Sequence, residues 1–186
     1  SSDALLVRWD RSGGNQRVTQ FGGAASEEEL LAISVNRREE VFVTGSTSGN
    51  LDGARSTNTT LDLVVARYSR SLRRLWLRQL GSSVAADERG TGIFATATGR
   101  IYVAGETNGD FDRKSAGNTS WDAFIVPYTR NGNRDLRVQY GGAADERVRA
   151  LAVSRRGALY LAGSTSGRLG TDPAGGDDAF VARVVR

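Results

Sequence analysis

The chain has 186 residues, 39% of them hydrophobic, and a formal net charge of +4, a length that suits one ordered domain or an array of small repeats. It contains no Cys and no His, which excludes disulfides, thiolate chemistry and the commonest neutral-pH base and metal ligand. Lys114 is the only lysine, and the arginines are scattered among 21 acids; no nucleic-acid partner is expected without a clustered basic stripe, and no apolar run approaches the ~18 residues of a membrane span.

In chain order, the first strand-like piece is DALLVRW from Asp3, followed by TQFGG around Gln20. LAISV (31–35) comes next, with Ile33 and Val35 alternating about Ser34 in the period-2 pattern of a half-buried strand. The acidic run Glu27-Glu28-Glu29 before it is a candidate for one short helical turn. VFVTGS (41–46), DLVVARY (62–68) and LWLRQL (75–80) complete a set of four strands. Gly, Asn, Ser and Asp occupy the connections, as turns require.

The set then recurs. DLVVARY from Asp62, DAFIVPY from Asp122 and DAFVARV from Asp178 repeat the opening segment at spacings of 59, 60 and 56 residues. Gln20, Gln79 and Gln139 keep the period, and so do Gly45, Gly105 and Gly163. Residues 1–186 are therefore one repeat array, with repeats at about 3–61, 62–121 and 122–177 and a partial fourth at 178–186. A four-stranded sheet cannot bury both faces alone, so successive sheets must stack. The fold expected is all-β: a β-propeller of about three four-stranded blades, as a partial or open ring or as a segment of a larger propeller.

GGAADERVRALAVSRRGALYLAGSTSG followed by DDAFVARV, together with LWLRQLG from Leu75 to Gly81, resembles the bacterial-type SBBP β-propeller repeat. The resemblance covers nearly the whole chain in about three copies. It departs at NRREE (36–40), which replaces an Asp-x-x-Gly-Asn turn, and in the long loops before Asp62 and Asp122. It implies four-stranded blades and extracellular or cell-surface proteins built for binding and scaffolding, with no catalytic signature to carry over. By analogy with propellers, the LAISV-type strand is innermost and the LWLRQL-type strand outermost. The chain then begins and ends on a third strand, with groups of two, four, four and three strands, and is expected to be a segment of a longer protein or to be covered by another copy.

The end strands are the expected interaction edges, through Asp3, Leu5, Val7 and Trp9 at one end and Phe180, Ala182 and Val184 at the other, because unpaired edges invite strand addition. The repeated Asp3, Asp62, Asp122 and Asp178 read either as a ring of carboxylates for a cation or as caps of their own turns; the second is preferred. The loops Asn50–Gly53, Gly109–Asp112 and Thr171-Asp172 offer oxygen ligands of the kind calcium takes, without EF-hand spacing, so no cofactor is expected beyond a possible calcium. Asn58 and Asn118 head N-x-[ST] sequons at equivalent positions and are candidate glycosylation sites.

Asp87-Glu88 and Asp145-Glu146 are adjacent carboxylates whose side chains point to opposite faces of a strand, and a Ser-His-Asp or Cys-His system is excluded by composition. Ser115 beside Lys114 is a neighbour in sequence only. Two recurrent aromatic sets, Trp9/Tyr68/Tyr128 and Phe42/Tyr102/Tyr160, fit inter-sheet packing better than sugar stacking. Trp76 and Trp121 do not recur and are candidates for a specific contact. The expectation is a non-catalytic scaffold with protein partners or further copies of itself, and a calcium-assisted carbohydrate-binding propeller as the alternative.

Overall fold

The structure is a computed structural model and describes residues 1–14, 16–53, 60–82, 86–112, 120–169 and 175–184. Among these the chain is all-β, with thirteen strands and no helix. The strands form four antiparallel sheets. The first holds β1 (Ala4–Arg8) and β2 (Arg17–Phe21); the second holds β3 (Glu28–Val35), β4 (Val41–Thr47), β5 (Asp62–Tyr68) and β6 (Arg74–Leu80). The third holds β7 (Glu88–Ala95), β8 (Ile101–Thr107), β9 (Asp122–Tyr128) and β10 (Val138–Tyr140). The fourth holds β11 (Glu146–Val153), β12 (Leu159–Thr165) and β13 (Asp178–Val184). Strands follow chain order within each sheet, and Glu28 and Glu29 lie in β3, so the acidic run enters a strand with no helical turn.

Three apolar layers hold the sheets face to face. Leu6 and Phe21 of the first sheet pack on Val43, Val64, Ala66 and Tyr68 of the second. Phe42, Leu63 and Val65 of the second meet Ile93, Val103, Phe124 and Val126 of the third. Tyr102 and Ile125 of the third meet Val148, Leu161, Phe180 and Val184 of the fourth. The middle strand β5 is thus covered on both faces, which is why DLVVARY is apolar on both sides and buried throughout. Each buried Val, Leu or Phe contributes roughly 1.5–3 kcal/mol by leaving water.

β10 is short for a visible reason. Pro127 stands where β5 has Arg67, and the β9–β10 ladder ends at Ile125↔Val138, before the proline. Proline has no N–H for a ladder and sits near its end.

The tight turns between strands share one design. A Ser, Thr, Asn or Asp opens the turn and accepts a backbone N–H on its side chain, as Asn36 does from Arg38 and Glu40. The fourth residue takes positive φ; it is Gly99 (φ 87) and Gly157 (φ 81), but Glu39 (φ 57) in the NRREE turn. A left-handed non-glycine residue costs about 1–2 kcal/mol. The Glu39 side chain makes only an exposed ion pair with Arg70, and such pairs contribute little. Glu39→Gly is therefore expected to raise stability by about 0.5–1 kcal/mol, read from a urea midpoint. Leu72 has the same conformation (φ 56) but is buried against the second sheet, so Leu72→Gly is expected to destabilise.

Candidate interaction surfaces

A polar seam repeats wherever one sheet meets the next. The first strand of the following sheet begins with a buried glutamate: Glu28, Glu88 or Glu146. Its Oε1 accepts the hydroxyl of Thr47 (2.7 Å), Thr107 (3.0 Å) or Thr165 (3.0 Å). Its backbone N–H donates across the seam to the carbonyl of Ser2 (2.8 Å), Leu61 (2.6 Å) or Trp121 (2.5 Å). The preceding aspartate completes the link: Asp87 Oδ1 accepts from Leu61 N–H (2.9 Å), and Asp145 Oδ1 from Trp121 N–H (3.0 Å). The glutamate Oε1 thus ties two strands of its own sheet, while its Oε2 accepts the N–H of Gly23, Ser82 or Gly142 just beyond the preceding sheet.

The recurrent strand-start aspartates stand beside this seam and fasten the outer strands of their own sheets. Asp3, Asp62 and Asp122 each accept the side-chain amide of a glutamine on the neighbouring outer strand: Gln20 (2.6 Å), Gln79 (2.6 Å) and Gln139 (2.7 Å). Gln79 also donates to Gly49 O and accepts Leu51 N–H; Gln139 donates to Gly109 O and accepts Phe111 N–H. One glutamine therefore fastens the outer strand both to an aspartate and to the loop beyond the second strand. Asp52 and Asp112 brace the same corner by accepting the N–H of Gln79 and Gln139. Among the described residues no group of three or more acids gathers as a cation site.

Burial pushes the Glu88 carboxyl up to about 7; the hydrogen bonds from Ser82 and Thr107 offset this in part, and the Asp62 charge adds to it. The unfolded chain ionises this group near 4.5, so its contribution to stability is complete below that pH and is lost as pH rises through about 7. The loss expected between pH 4.5 and 7 is about 2–3 kcal/mol. Glu40 works in the opposite direction. Burial alone raises its pKa, but hydrogen bonds from Arg130, Asn36 and Arg67 and the Arg67 charge bring it down to about 2. Its stabilisation is present above pH 4.5 and lost toward pH 2. Denaturant titrations across pH are thus expected to give maximal stability near pH 4–5, with the alkaline side flattened in Glu88→Gln.

A second clasp joins the second and third sheets at their other end. Glu40 accepts Arg67 (2.6 Å) and Arg130, and Arg67 and Trp76 both donate to the Arg130 carbonyl (2.8 and 2.9 Å). Arg8 donates to the carbonyl of Arg70 in the corresponding way between the first and second sheets.

The stack is bare at two places: over β3 of the second sheet, which the two-stranded first sheet leaves uncovered, and on the outer face of the fourth sheet. Ile93 and Ala95 of β7 are each 7% exposed beneath the second sheet, whereas the corresponding Ile33 and Val35 of β3 are 59% and 57% exposed. At the opposite end Val181 of β13 is 78% exposed, whereas Val65 at its position in β5 is fully buried. β1 and β13 each pair with one strand among the described residues, so the other edge of each is uncovered by any of these residues.

The residues expected at these edges divide. Leu5 and Trp9 are exposed and Val7 is half-buried, and Val7 and Trp9 border a recess of about 420 Å³ with Ile33 and Val35. Asp3 is held by Gln20 beside the seam. Phe180 and Val184 face inward on the third sheet, Ala182 lies on their side, and Ala179, Val181 and Arg183 form the outward set. Trp76 stacks on Tyr128 with ring centres 6.3 Å apart, and Trp121 lies between Arg89 and Arg147; both are engaged within the molecule. Tyr68, Tyr128, Phe42 and Tyr102 are buried between sheets. Asn58, Asn118, Lys114, Ser115 and Thr171-Asp172 lie outside the described residues. No described helix is long and apolar enough to cross a membrane.

The glutamine seam and the Glu40 clasp were not anticipated from sequence. The signal for the seam was present: Gln, Asp, Glu and Thr recur together at one spacing, although the roles assigned to them were separate.

No family model matches the chain. It is similar to the regulatory protein FlaEY of Caulobacter vibrioides, at 28% identity over 131 residues, covering 64% of this chain and 14% of that protein. The chain thus spans about one seventh of the curated relative it matches. Among solved structures, a protein of unknown function from Bacteroides caccae aligns with a TM-score of 0.44 and 12% identity, over 87% of this chain and 50% of that one.

Proposed function

We propose that the chain is a run of SBBP-type β-propeller blades serving as a non-catalytic scaffold, one that binds other protein chains at the two ends of its sheet stack in an extracellular or cell-surface assembly. The observation that carries the binding role is the contrast between equivalent positions. Ile33 and Val35 are open where Ile93 and Ala95 are closed, and Val181 is open where Val65 is closed. These positions carry the side chains of covered surfaces and lie uncovered, the usual mark of an interaction site. The blade reading is supported by the chain-order sheets, the stacked apolar layers and the recurrent seam. The extracellular setting rests on the sequence resemblance. The likeness to a short part of a much longer relative is consistent with use as a module.

The test is sedimentation equilibrium on the purified chain. Concentration-dependent association is expected, and arginine at Ile33 and Val181 together is expected to return the chain to monomer without lowering its melting temperature. A wild-type chain that stays monomeric across its soluble range and binds no added strand peptide overturns the reading.

A further inference from the structure

We propose that the groove beside β13 is a docking site for an extended peptide strand carrying the sequence Gln-Ψ-Gly, where Ψ is Phe, Leu or Tyr. This rests on the scaffold reading and names the chemistry of the partner. A groove of about 780 Å³ runs along Asp178–Val184 and reaches Gly167 and Leu169 on one side and Tyr140 and Gly141 on the other. It lies along the open edge of β13, where the second and third sheets carry β6 and β10.

The molecule displays the occupant three times. Gln20, Gln79 and Gln139 stand opposite Leu5, Val64 and Phe124, the third residue of each aspartate-led segment. Phe180 is that residue in β13. In the two complete sheets the glutamine meets an aspartate carboxylate, a glycine carbonyl and the N–H two residues beyond that glycine. Asp178, Gly167 and Leu169 hold those three places in the fourth sheet, and all three line the groove. An amide suits this corner because it donates to the carboxylate and carbonyl and accepts from the N–H. A glutamate there sets two negative charges together.

The glycine has its own reason. Gly22, Gly81 and Gly141 each follow the glutamine by two residues, and a Cβ on them lies 2.0–2.3 Å from Oδ1 of Asp3, Asp62 or Asp122. An occupant of the same register over Asp178 needs glycine at that place. Main-chain bonds to the open edge supply affinity, and the glutamine and glycine supply selectivity.

The probe is a fluorescent peptide of sequence Arg-Val-Thr-Gln-Phe-Gly-Gly, copied from residues 17–23, titrated into the whole chain by anisotropy. Saturable binding is expected, weakened at least about tenfold by Gln→Glu or Gly→Val in the peptide and by Asp178→Ala in the protein, with Asp178→Asn retaining most of it. Circular dichroism and melting check that the protein variants are folded. Absence of binding, or binding indifferent to the glutamine and to Asp178, overturns the proposal. Self-association of the chain without peptide binding removes this inference and leaves the scaffold reading; a monomer that binds no peptide removes both.

Discussion

Gly105→Ala is expected to cost at least about 3 kcal/mol, or to prevent folding, although it adds one methyl group to a strand. A Cβ on Gly105 lies 2.0 Å from the Arg89 carbonyl oxygen and 2.4 Å from the Phe124 ring. The carbonyl is there because β7 carries an irregularity opposite this glycine, between Gly90 and Gly92, which turns the backbone inward. The same register shift faces Gly45 in the second sheet and Gly163 in the fourth, with Cβ distances of 1.8 and 1.9 Å to Glu29 and Arg147 carbonyls. A carbonyl held in a ladder cannot rotate away as a side chain can. Gly142 is the control, since a Cβ there meets nothing within 4 Å, and Gly142→Ala is expected to change stability by less than about 0.5 kcal/mol. Urea midpoints of the two variants decide the matter; a loss below about 1 kcal/mol for Gly105→Ala means the irregularity yields.

The second large effect concerns the Glu40 clasp. Glu40→Ala is expected to cost about 3–5 kcal/mol, because it strands the Arg67 guanidinium, whose side chain is 8% exposed, without its charge partner. The exposed ion pair of Arg70 with Glu39 is worth less than about 1 kcal/mol by comparison. Replacing Arg67 by Leu together with Glu40→Ala is expected to recover much of the loss, since removing both charges removes the desolvation penalty. Arg67 also donates to the Arg130 carbonyl, so the recovery is incomplete. Chemical denaturation of both variants and of Arg67→Leu alone closes the cycle. Equal stability of the single and double variants contradicts this account.

Much of the architecture is legible in the sequence. The repeat at Asp3, Asp62, Asp122 and Asp178 set the number of strands and their grouping, because identical segments at one period must occupy equivalent places. Strands such as 62–68 were found to the residue, since β-branched runs bounded by turn residues have few alternatives. Tyr68, Tyr128, Phe42 and Tyr102 are buried as their recurrence implies, whereas Trp9 is exposed and Tyr160 half-buried.

Other features depended on which face meets which neighbour. Alternation along 178–184 divides Phe180, Ala182 and Val184 from Ala179, Val181 and Arg183, but period-2 patterning is the same from either side. The stacking on the third sheet makes the first set inward, and so the outward set was missed. Asp87 and Glu88 read as two acids; only their placement at a sheet boundary gives one to Leu61 N–H and the other to Ser82 N–H. Glu40 and Arg130 are 90 residues apart, and nothing local joins them. Local chemistry determined the strands, the turns and the repeat. The links of Asp87 and Asp145 to the preceding sheet, the clasp and the groove were decided by tertiary packing, because each is made where one sheet stacks upon the next.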